Sequence, residues 1–308
     1  MTDQREKKAA KPVLAICYDF DKTLSPKDMQ AQGYIQSVGY DVEAFWEKSN
    51  ALAREHDMDS NLAYMYTMIS EAEGRIVVNR EALEAYGAAV ELFPGVEDWF
   101  DRIQSYGEEK GVIVEHYIIS SGLKEMIEGT KIAKNGCFKK IYASSFLFSE
   151  KGAAIWPAQA INYTNKTQFL FRIEKGVLDV NNFAVNEHFA PEDIRVPFRN
   201  MIYIGDSDTD IPCMKLVDSH GGHSIGVYDP YSEDKEKVYK MMTDDRIRYF
   251  APANYEEDSE LDKLVKAIID KTVAYEVLEA KHVRDLLETR LEEENRRIEK
   301  IKVDLQKH

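Results

Sequence analysis

Cysteine is scarce in this sequence, and its three copies, Cys17, Cys137 and Cys213, are too scattered to form a paired metal site. An odd count without a signal peptide predicts a reducing, intracellular setting, so we expect a cytoplasmic protein. Long apolar runs are absent too, because no stretch approaches the roughly 18 residues that a membrane-spanning helix needs. Residues 1–11 are polar and rich in lysine, and no export segment follows them. We therefore expect no membrane partner.

Basic residues are outnumbered, with 40 Lys and Arg against 55 Asp and Glu and a net charge of −15. This balance argues against a nucleic-acid backbone as a partner. Low aromatic content, typical of disorder, is not found either, since the chain has 17 Tyr and 13 Phe and is 44% hydrophobic. At 308 residues the chain is long enough for a large core and more than one domain.

The segment Val13–Tyr18 consists of six mostly apolar residues and predicts a buried strand that ends at Asp19 and Asp21. Open α/β sheets bind ligands beyond the carboxyl ends of their strands. Two carboxylates that lie two residues apart on a regular strand share a face, and they repel unless a cation or a shared proton intervenes. A divalent metal is the first hypothesis for this pair, and a strand followed by a polar turn is the alternative.

A predicted helical insert and a second predicted strand follow in the first half of the chain. Residues 29–102 show apolar residues at helical spacing without a strong strand signal, which predicts a separate helical insert. Residues 112–119 predict a second buried strand that runs into Ser120, Ser121 and Gly122, with a helix from Leu123 to about residue 133. Backbone N–H groups at such a junction can bind an anion, whereas the simpler alternative is a serine that caps the helix.

A predicted hairpin, residues 141–148 and 154–163, precedes a helix that we expect to run from Thr164 to Glu174. Lys166 lies in the first turn of this helix, where a cation opposes the helix dipole. That position hints at a role other than helix stability, although a solvated lysine is the default interpretation. Residues 176–198 are expected to be irregular.

A third short buried strand, residues 201–204, leads into a loop that contains Asp206, Asp208 and Asp210. A helix is expected at about residue 212, and further strands at 224–227 and 249–252. From residue 259 the chain is predicted to be helical to its end. The distal part is too polar for a core, so it is either a self-associating pair or a single helix docked on its own domain.

Four segments of this chain resemble, in the same order, the four motifs of the haloacid dehalogenase (HAD) superfamily. They are the strand ending in Asp-x-Asp-x-Thr, the strand ending in Ser, the Lys at a helix start and the strand followed by Gly-Asp-x-x-x-Asp. The insert after the first motif resembles the C1-cap branch, to which phosphoserine phosphatases belong. The resemblance implies an α/β fold, a Rossmann-like doubly wound parallel sheet with a helical C1 cap after the first strand and extra C-terminal helices. The expected domains are a core of residues 12–30 and 103–256, a cap of residues 31–102 and a C-terminal extension of residues 257–308.

The same resemblance implies roles for individual residues. Asp19 would attack phosphorus and become an aspartyl-phosphate, while Asp21 would protonate the leaving oxygen and later activate water. Mg²⁺ would be bound by the Asp19 carboxylate, the Asp21 backbone carbonyl and Asp206. Asp210 would hold the phosphate-binding lysine and support the metal site. Asp208 is left out of the metal ligands. The phosphate-binding residues would be Thr23, Ser120, Ser121, Gly122 and Lys166.

The cap departs from the phosphoserine phosphatase pattern. Those enzymes carry Glu nine residues after the nucleophile, where this chain has Asp28. They also carry an arginine that binds the substrate carboxylate, and the corresponding region, residues 62–69, has none. The other cap arginines are expected on the surface, and most cap aromatic residues are expected in the core rather than in a pocket. These residues are Arg54, Arg75, Arg80, Tyr34, Tyr40, Phe45, Trp46, Tyr64 and Tyr66.

The function that these observations predict is a Mg²⁺-dependent phosphomonoester hydrolase that acts on a small organophosphate through an aspartyl-phosphate. Two alternatives stay open. One is a phosphotransferase or phosphomutase that uses the same intermediate, and the other is a non-catalytic assembly protein that associates through its C-terminal helices. A homodimer through these helices is the expected macromolecular partnership.

Overall fold

A computed structural model describes residues 5–232 and 234–305, with side chains to residue 302. Its described strands form one seven-stranded sheet in the order β4-β3-β2-β1-β5-β6-β7. Neighbouring strands are parallel except for the antiparallel hairpin of β3 and β4. The strands are β1 Val13–Tyr18, β2 Ile113–Leu123, β3 Lys140–Phe148, β4 Ala154–Gln159, β5 Met201–Gly205, β6 His223–Tyr228 and β7 Tyr249–Pro252.

Helices cover both faces of this sheet, so the central strand β1 is buried on both sides. Its residues alternate between two apolar clusters: Ile16 and Tyr18 pack on one face, and Ala15 and Cys17 on the other. The predicted doubly wound α/β fold is therefore confirmed. The described helices are α1 Tyr34–Ser37, α2 Val42–Glu55, α3 Ser60–Ala72, α4 Arg80–Ala88, α5 Val96–Glu109, α6 Lys124–Gly129, α7 Lys131–Lys134, α8 Thr167–Lys175, α9 Ile211–Ser219, α10 Glu236–Thr243 and α11 Glu260–Leu305.

The helical insert after β1 contains α1 to α4, as expected from the apolar spacing. The next helix, α5, packs against β2 of the sheet. Its Trp99 donates a hydrogen bond to the Tyr18 hydroxyl (2.7 Å), and its Phe100 ring contacts the same tyrosine. The limits of core, cap and extension given above remain predictions, and these contacts favour a cap that ends before α5.

The junction after β2 differs from the expectation. The strand does not stop at Ile119 but continues through Leu123, with a register shift against β3 between Ser120 and Leu123. The single helix expected after it is two short helices, α6 and α7, because Thr130 adopts an extended conformation and caps the second one. The polar residues of this motif thus lie at the end of the strand ladder rather than in a helical turn.

Two other differences are smaller. The helix expected from Thr164 begins as a 3-10 turn, Tyr163–Lys166, before α8. Sequence reasoning missed α10, whose surroundings are mostly polar. Residues 176–198 are irregular as expected, apart from short 3-10 turns. Among the described residues, no helix combines the length and the apolar character that a membrane crossing requires.

Candidate active site

Three carboxylates meet where two neighbouring parallel strands end. Asp19 follows β1 and Asp206 follows β5, and the Asp19 N–H donates to the Ile204 carbonyl of β5 (2.9 Å). Asp210 enters from the loop before α9. Oxygens of the three side chains lie within 4.8 Å of one another, and all three residues are buried. The arrangement concentrates negative charge at the switch point of the sheet, where such folds bind ligands.

The Lys166 side chain is fully buried against this cluster. Its Nζ lies 3.1 Å from Asp19 Oδ1 and 2.7 Å from Asp210 Oδ1. Burial disfavours the charged amine, but the two carboxylates outweigh it and raise the pKa of Lys166. The lysine therefore stays charged. Its amine belongs to a buried ion pair, whereas the default interpretation of the sequence is a solvated lysine.

Asp210 is held on several sides. Its Oδ1 also accepts a hydrogen bond from the Tyr203 hydroxyl (2.8 Å), and its Oδ2 accepts from the Ser207 N–H (3.1 Å) and hydroxyl (2.9 Å). A carboxylate fixed by this many donors keeps one orientation. Asp210 thus positions Lys166 toward Asp19, which is the arrangement that the resemblance implies for it.

The cluster carries more negative charge than Lys166 can balance. Burial, together with Asp210 and Asp206, raises the pKa of Asp19 to about 7 although Lys166 acts in the opposite direction. Burial likewise raises the pKa of Asp206 to about 6, although Lys237 lies 3.3 Å away. Buried carboxylates that resist ionisation are stabilised by a further cation. Carboxylate oxygens are the ligands that Mg²⁺ prefers, so the residues present fit this metal.

The Asp21 carboxylate is held away from the three-carboxylate cluster. Its Oδ1 accepts a hydrogen bond from the Met29 N–H (2.8 Å). Burial, followed by the charges of Asp28 and Asp19, raises the pKa of Asp21 well above its ordinary value. Lys22, the residue that follows Asp21, has a left-handed backbone (φ 58°), which an L-residue with a side chain rarely adopts. Its amine pairs with Asp28 at 3.0 Å.

The predicted phosphate-binding residues other than Lys166 differ in their hydrogen bonding and in their exposure to the site. Ser121 Oγ and Thr23 Oγ1 are buried without a hydrogen-bond partner, while Ser120 Oγ accepts from the Gly122 N–H (3.0 Å). Gly122 permits a close approach, because a Cβ there would lie 2.4 Å from Met29 Cε and 3.0 Å from Asp21 Oδ2. Ser120, Ser121 and Gly122 line the cavity described next, whereas Thr23 is fully buried. Their role as a phosphate site remains a prediction.

A cavity of about 330 Å³ opens above the carboxylates. We call one end the floor, which is made by residues at the strand ends. We call the other end the roof, which is contributed by α2, α3 and the segment before α1. The floor is Asp19, Asp21, Ser120, Ser121, Gly122 and Asp206, and the roof is Gln30, Trp46, Asn50, Ser60, Asn61 and Tyr64. The sides include Lys22, Asp28 and Lys237.

The roof contains two of the six aromatic residues considered in the sequence, Trp46 and Tyr64. Of the others, Tyr34 and Phe45 are fully buried, and Tyr66 is exposed. Among the described residues, no arginine lines the cavity. Of the cap arginines, Arg75 is bonded to the Val38 carbonyl and Arg80 to Glu128 (3.0 Å).

Several lining residues were missed by sequence reasoning. Lys237 enters from α10, and the amides and hydroxyl of the roof enter from α2, α3 and the preceding linker. No motif spacing marks them, because their meeting depends on how the helices pack. Asp208, excluded from the metal ligands, is not one of the three clustered carboxylates.

Known proteins resemble this chain in sequence and in fold. A model of the haloacid dehalogenase-like hydrolases matches residues 16–215. A protein of Borreliella burgdorferi described only as uncharacterised is 27% identical, over 81% of this chain and 94% of the relative. A HAD family hydrolase from Salmonella enterica serovar Typhi is similar in structure, with a TM-score of 0.55 and 16% identity over 85% of this chain and 73% of that one. A phosphoserine phosphatase in its apo form has a TM-score of 0.51 and 14% identity, over 82% and 98%. At these identities the two structures show a shared fold.

Proposed function

Because the chain belongs to the family of haloacid dehalogenase-like hydrolases, we propose that it hydrolyses phosphomonoesters of small alcohols. The observation that carries the proposal is the buried Lys166 amine, placed between Asp19 and Asp210 beside Asp206. A phosphoryl group in transfer carries charge on three oxygens, so catalysis requires positioning and positive charge. A nucleophile within 3.1 Å of a fixed ammonium group satisfies both requirements.

In the first step, an Asp19 carboxylate oxygen bonds to phosphorus as the bond from phosphorus to the alcohol oxygen breaks. The protonated Asp21 carboxyl gives its proton to that departing oxygen, so a neutral alcohol leaves. Lys166, Ser120 and Ser121 would hold the phosphoryl oxygens. The raised pKa of Asp21, caused first by burial, supports a protonated acid in the free enzyme.

In the second step, water attacks the phosphorus of the aspartyl-phosphate. Asp21 now takes a proton from this water, and the bond from phosphorus to the Asp19 oxygen breaks. Inorganic phosphate leaves and both aspartates return to their starting states. Two acids with different partners, Lys166 for Asp19 and Met29 N–H for Asp21, support this division of roles.

Mg²⁺ fits the cluster of buried carboxylates, as argued above from their burial, their charge and their oxygen ligands. Asp19, Asp206 and the Asp21 carbonyl would hold it, and Asp210 would support them through Lys166. When bound, the ion supplies positive charge that offsets the phosphoryl oxygens and the acids.

The test uses the purified full chain with Mg²⁺ and p-nitrophenyl phosphate, followed by a panel of metabolite phosphates with and without EDTA. We expect release of phosphate and nitrophenol in equal amounts, lost in EDTA. Nitrophenol in clear excess of phosphate when an alcohol is added would instead indicate phosphotransferase activity. A folded sample that releases no phosphate from any substrate would contradict the proposal.

We also propose that the distal part of α11 pairs with a second copy of this chain. The helix has 46 residues, and its first turns are buried in the core at Leu261 and Val265. Farther along, Leu287, Leu291, Ile298 and Ile301 are exposed at spacings of four, seven and three residues. Such spacing is typical of a two-stranded coiled coil.

A further inference from the structure

The roof of the cavity has no free positive charge. Lys22 is paired with Asp28 at 3.0 Å and Lys237 with Asp206 at 3.3 Å, and both lysines lie at the sides. No arginine lines the cavity among the described residues. A substrate carboxylate or second phosphate placed against the roof would therefore lose its water beside uncharged groups, which is unfavourable. The leaving group that fits the roof is uncharged.

The roof is nevertheless polar, and two of its polar atoms are buried without a partner. Gln30 is only 2% exposed and its Oε1 accepts no hydrogen bond. The indole Nε1 of Trp46 donates none. Buried polar groups in folded proteins nearly always have partners, so an orphaned acceptor and an orphaned donor on two residues that line one cavity indicate a ligand that reaches them. A hydroxyl group both donates and accepts, and it matches both atoms.

Gln30 is anchored beside the acid that serves the leaving group. The preceding residue, Met29, donates its N–H to Asp21 Oδ1 at 2.8 Å, which holds the short turn Met29–Ala31 against Asp21. Another roof residue, Tyr64, donates to the Ser121 carbonyl (2.8 Å), and its ring contacts Trp46 with centroids 5.9 Å apart. The roof is thus tied to the floor at the point where the alcohol departs.

From these contacts we propose that the leaving group is a neutral polyol or sugar, whose hydroxyls pair with Gln30 Oε1 and Trp46 Nε1. The inference rests on the proposed phosphatase function. The Trp46 and Tyr64 rings would contact the C–H face of such a molecule, while Asn50, Ser60 and Asn61 offer further polar partners. A cavity of about 330 Å³ suits a small substrate of this kind.

The first experiment compares four phosphomonoesters, two of which differ only in their hydroxyl groups. Sorbitol 6-phosphate and hexyl phosphate have the same six-carbon chain, and phosphoserine and p-nitrophenyl phosphate complete the set. With the full chain and Mg²⁺, we expect kcat/KM for sorbitol 6-phosphate to exceed that for hexyl phosphate and for phosphoserine by at least about tenfold, the factor that one good hydrogen bond supplies.

The second experiment tests the two residues. Gln30→Met keeps the length of the side chain and removes the amide, and Trp46→Phe keeps an aromatic ring and removes the N–H. Each is expected to lower the ratio of kcat/KM for sorbitol 6-phosphate to that for p-nitrophenyl phosphate by at least about fivefold. Gln104→Met, at a half-exposed position of α5 outside the cavity lining, is the matched control and leaves this ratio unchanged.

A readout without turnover completes the design. The Asp19→Asn protein with Mg²⁺ should show a higher melting temperature in sorbitol 6-phosphate than in hexyl phosphate, and Trp46→Phe should reduce that difference even if Gln30→Met does not fold. Equal or better turnover of hexyl phosphate or phosphoserine, or an unchanged ratio in the folded variants, overturns the inference while p-nitrophenyl phosphate hydrolysis upholds the phosphatase function. No phosphate release from any substrate overturns both.

Discussion

The floor and the roof of the cavity hold their polar groups in different ways. On the floor, Asp19 is paired with Lys166, Asp206 with Lys237, and Asp21 with the Met29 N–H. On the roof the groups are uncharged, and Gln30 and Trp46 each leave a buried atom unpaired. The carboxylates of the floor are held before any substrate arrives, and the unpaired hydroxyl of the floor, Ser121 Oγ, belongs to the predicted phosphate site. The roof is completed by the leaving group that enters. This contrast separates the chemistry common to all phosphomonoesters from the choice among them.

The largest expected effect is on the floor. Asp19→Asn removes the nucleophile and should lower kcat for p-nitrophenyl phosphate by at least about 10³-fold, because the covalent route is lost. Asp208→Asn is the matched control, since Asp208 lies in the loop that carries Asp206 and Asp210 but is not one of the three clustered carboxylates. It should change kcat by less than about twofold. Equal losses in both variants would contradict the assignment of Asp19.

Asp21→Asn should slow the release of an alkyl alcohol more than the release of p-nitrophenol. An alkyl alcohol needs a proton as it departs, whereas p-nitrophenolate is stable without one. We expect a loss of about 10²- to 10⁴-fold with an alkyl phosphate and a smaller loss in the burst of p-nitrophenol. Pre-steady-state release of the two alcohols measures this difference. A loss that is the same for both would show that Asp21 does not protonate the leaving oxygen.

The pH dependence of metal binding tests the charge balance of the floor. In the metal-free protein, burial raises the pKa of Asp19 to about 7 and that of Asp206 to about 6, so protons compete with Mg²⁺ below these values. We expect Mg²⁺ affinity to fall by at least about tenfold from pH 8 to pH 5.5. Calorimetric titration at both values measures it. An affinity that is independent of pH would contradict carboxylate ligation.

The stability of the metal-free protein should also depend on pH. Because the folded pKa of Asp19 is raised above its unfolded value, the folded state binds more protons between about pH 4 and 7, and the metal-free protein loses stability as pH rises through that range. Mg²⁺ relieves this penalty, so its effect on the melting temperature should be larger at pH 8 than at pH 5.5. Asp19→Asn should shrink the difference between the two pH values.

The contrast between floor and roof also explains what could be predicted from the sequence. The floor follows from short motifs, because each acid comes directly after a buried strand and parallel strands bring their carboxyl ends together. Asp19, Asp21 and Asp206 follow from this placement, and the resemblance to the four motifs adds Lys166 and Asp210. The structure brings Lys166, Asp206 and Asp210 together at Asp19.

The roof could not be predicted in this way. Its residues are Gln30 and members of the separate segments 46–50 and 60–64, and their meeting depends on how α2 and α3 pack. Lys237 lies on α10, a helix of only eight residues that sequence reasoning missed. The end of β2 was misjudged for a related reason, because small polar residues such as Ser120 and Ser121 suit a turn as well as a strand, and only pairing with β3 decides between them.

The smallest effect on catalysis is expected far from both ends of the cavity, on α11. Removing the whole helix would be a poor test, because Leu261 and Val265 are buried and Asp262 pairs with Arg102 at 3.2 Å. The double substitution Leu287→Lys and Leu291→Lys changes two exposed side chains instead. It should leave kcat/KM within about twofold and convert a dimer to a monomer, because buried lysines would disfavour the apolar seam. Light scattering measures the mass, and Glu288→Lys on the same turn controls for added charge. A native chain that is already monomeric at high concentration would contradict the pairing, and a fall in activity that tracks the mass would mean that the second copy supports the cavity.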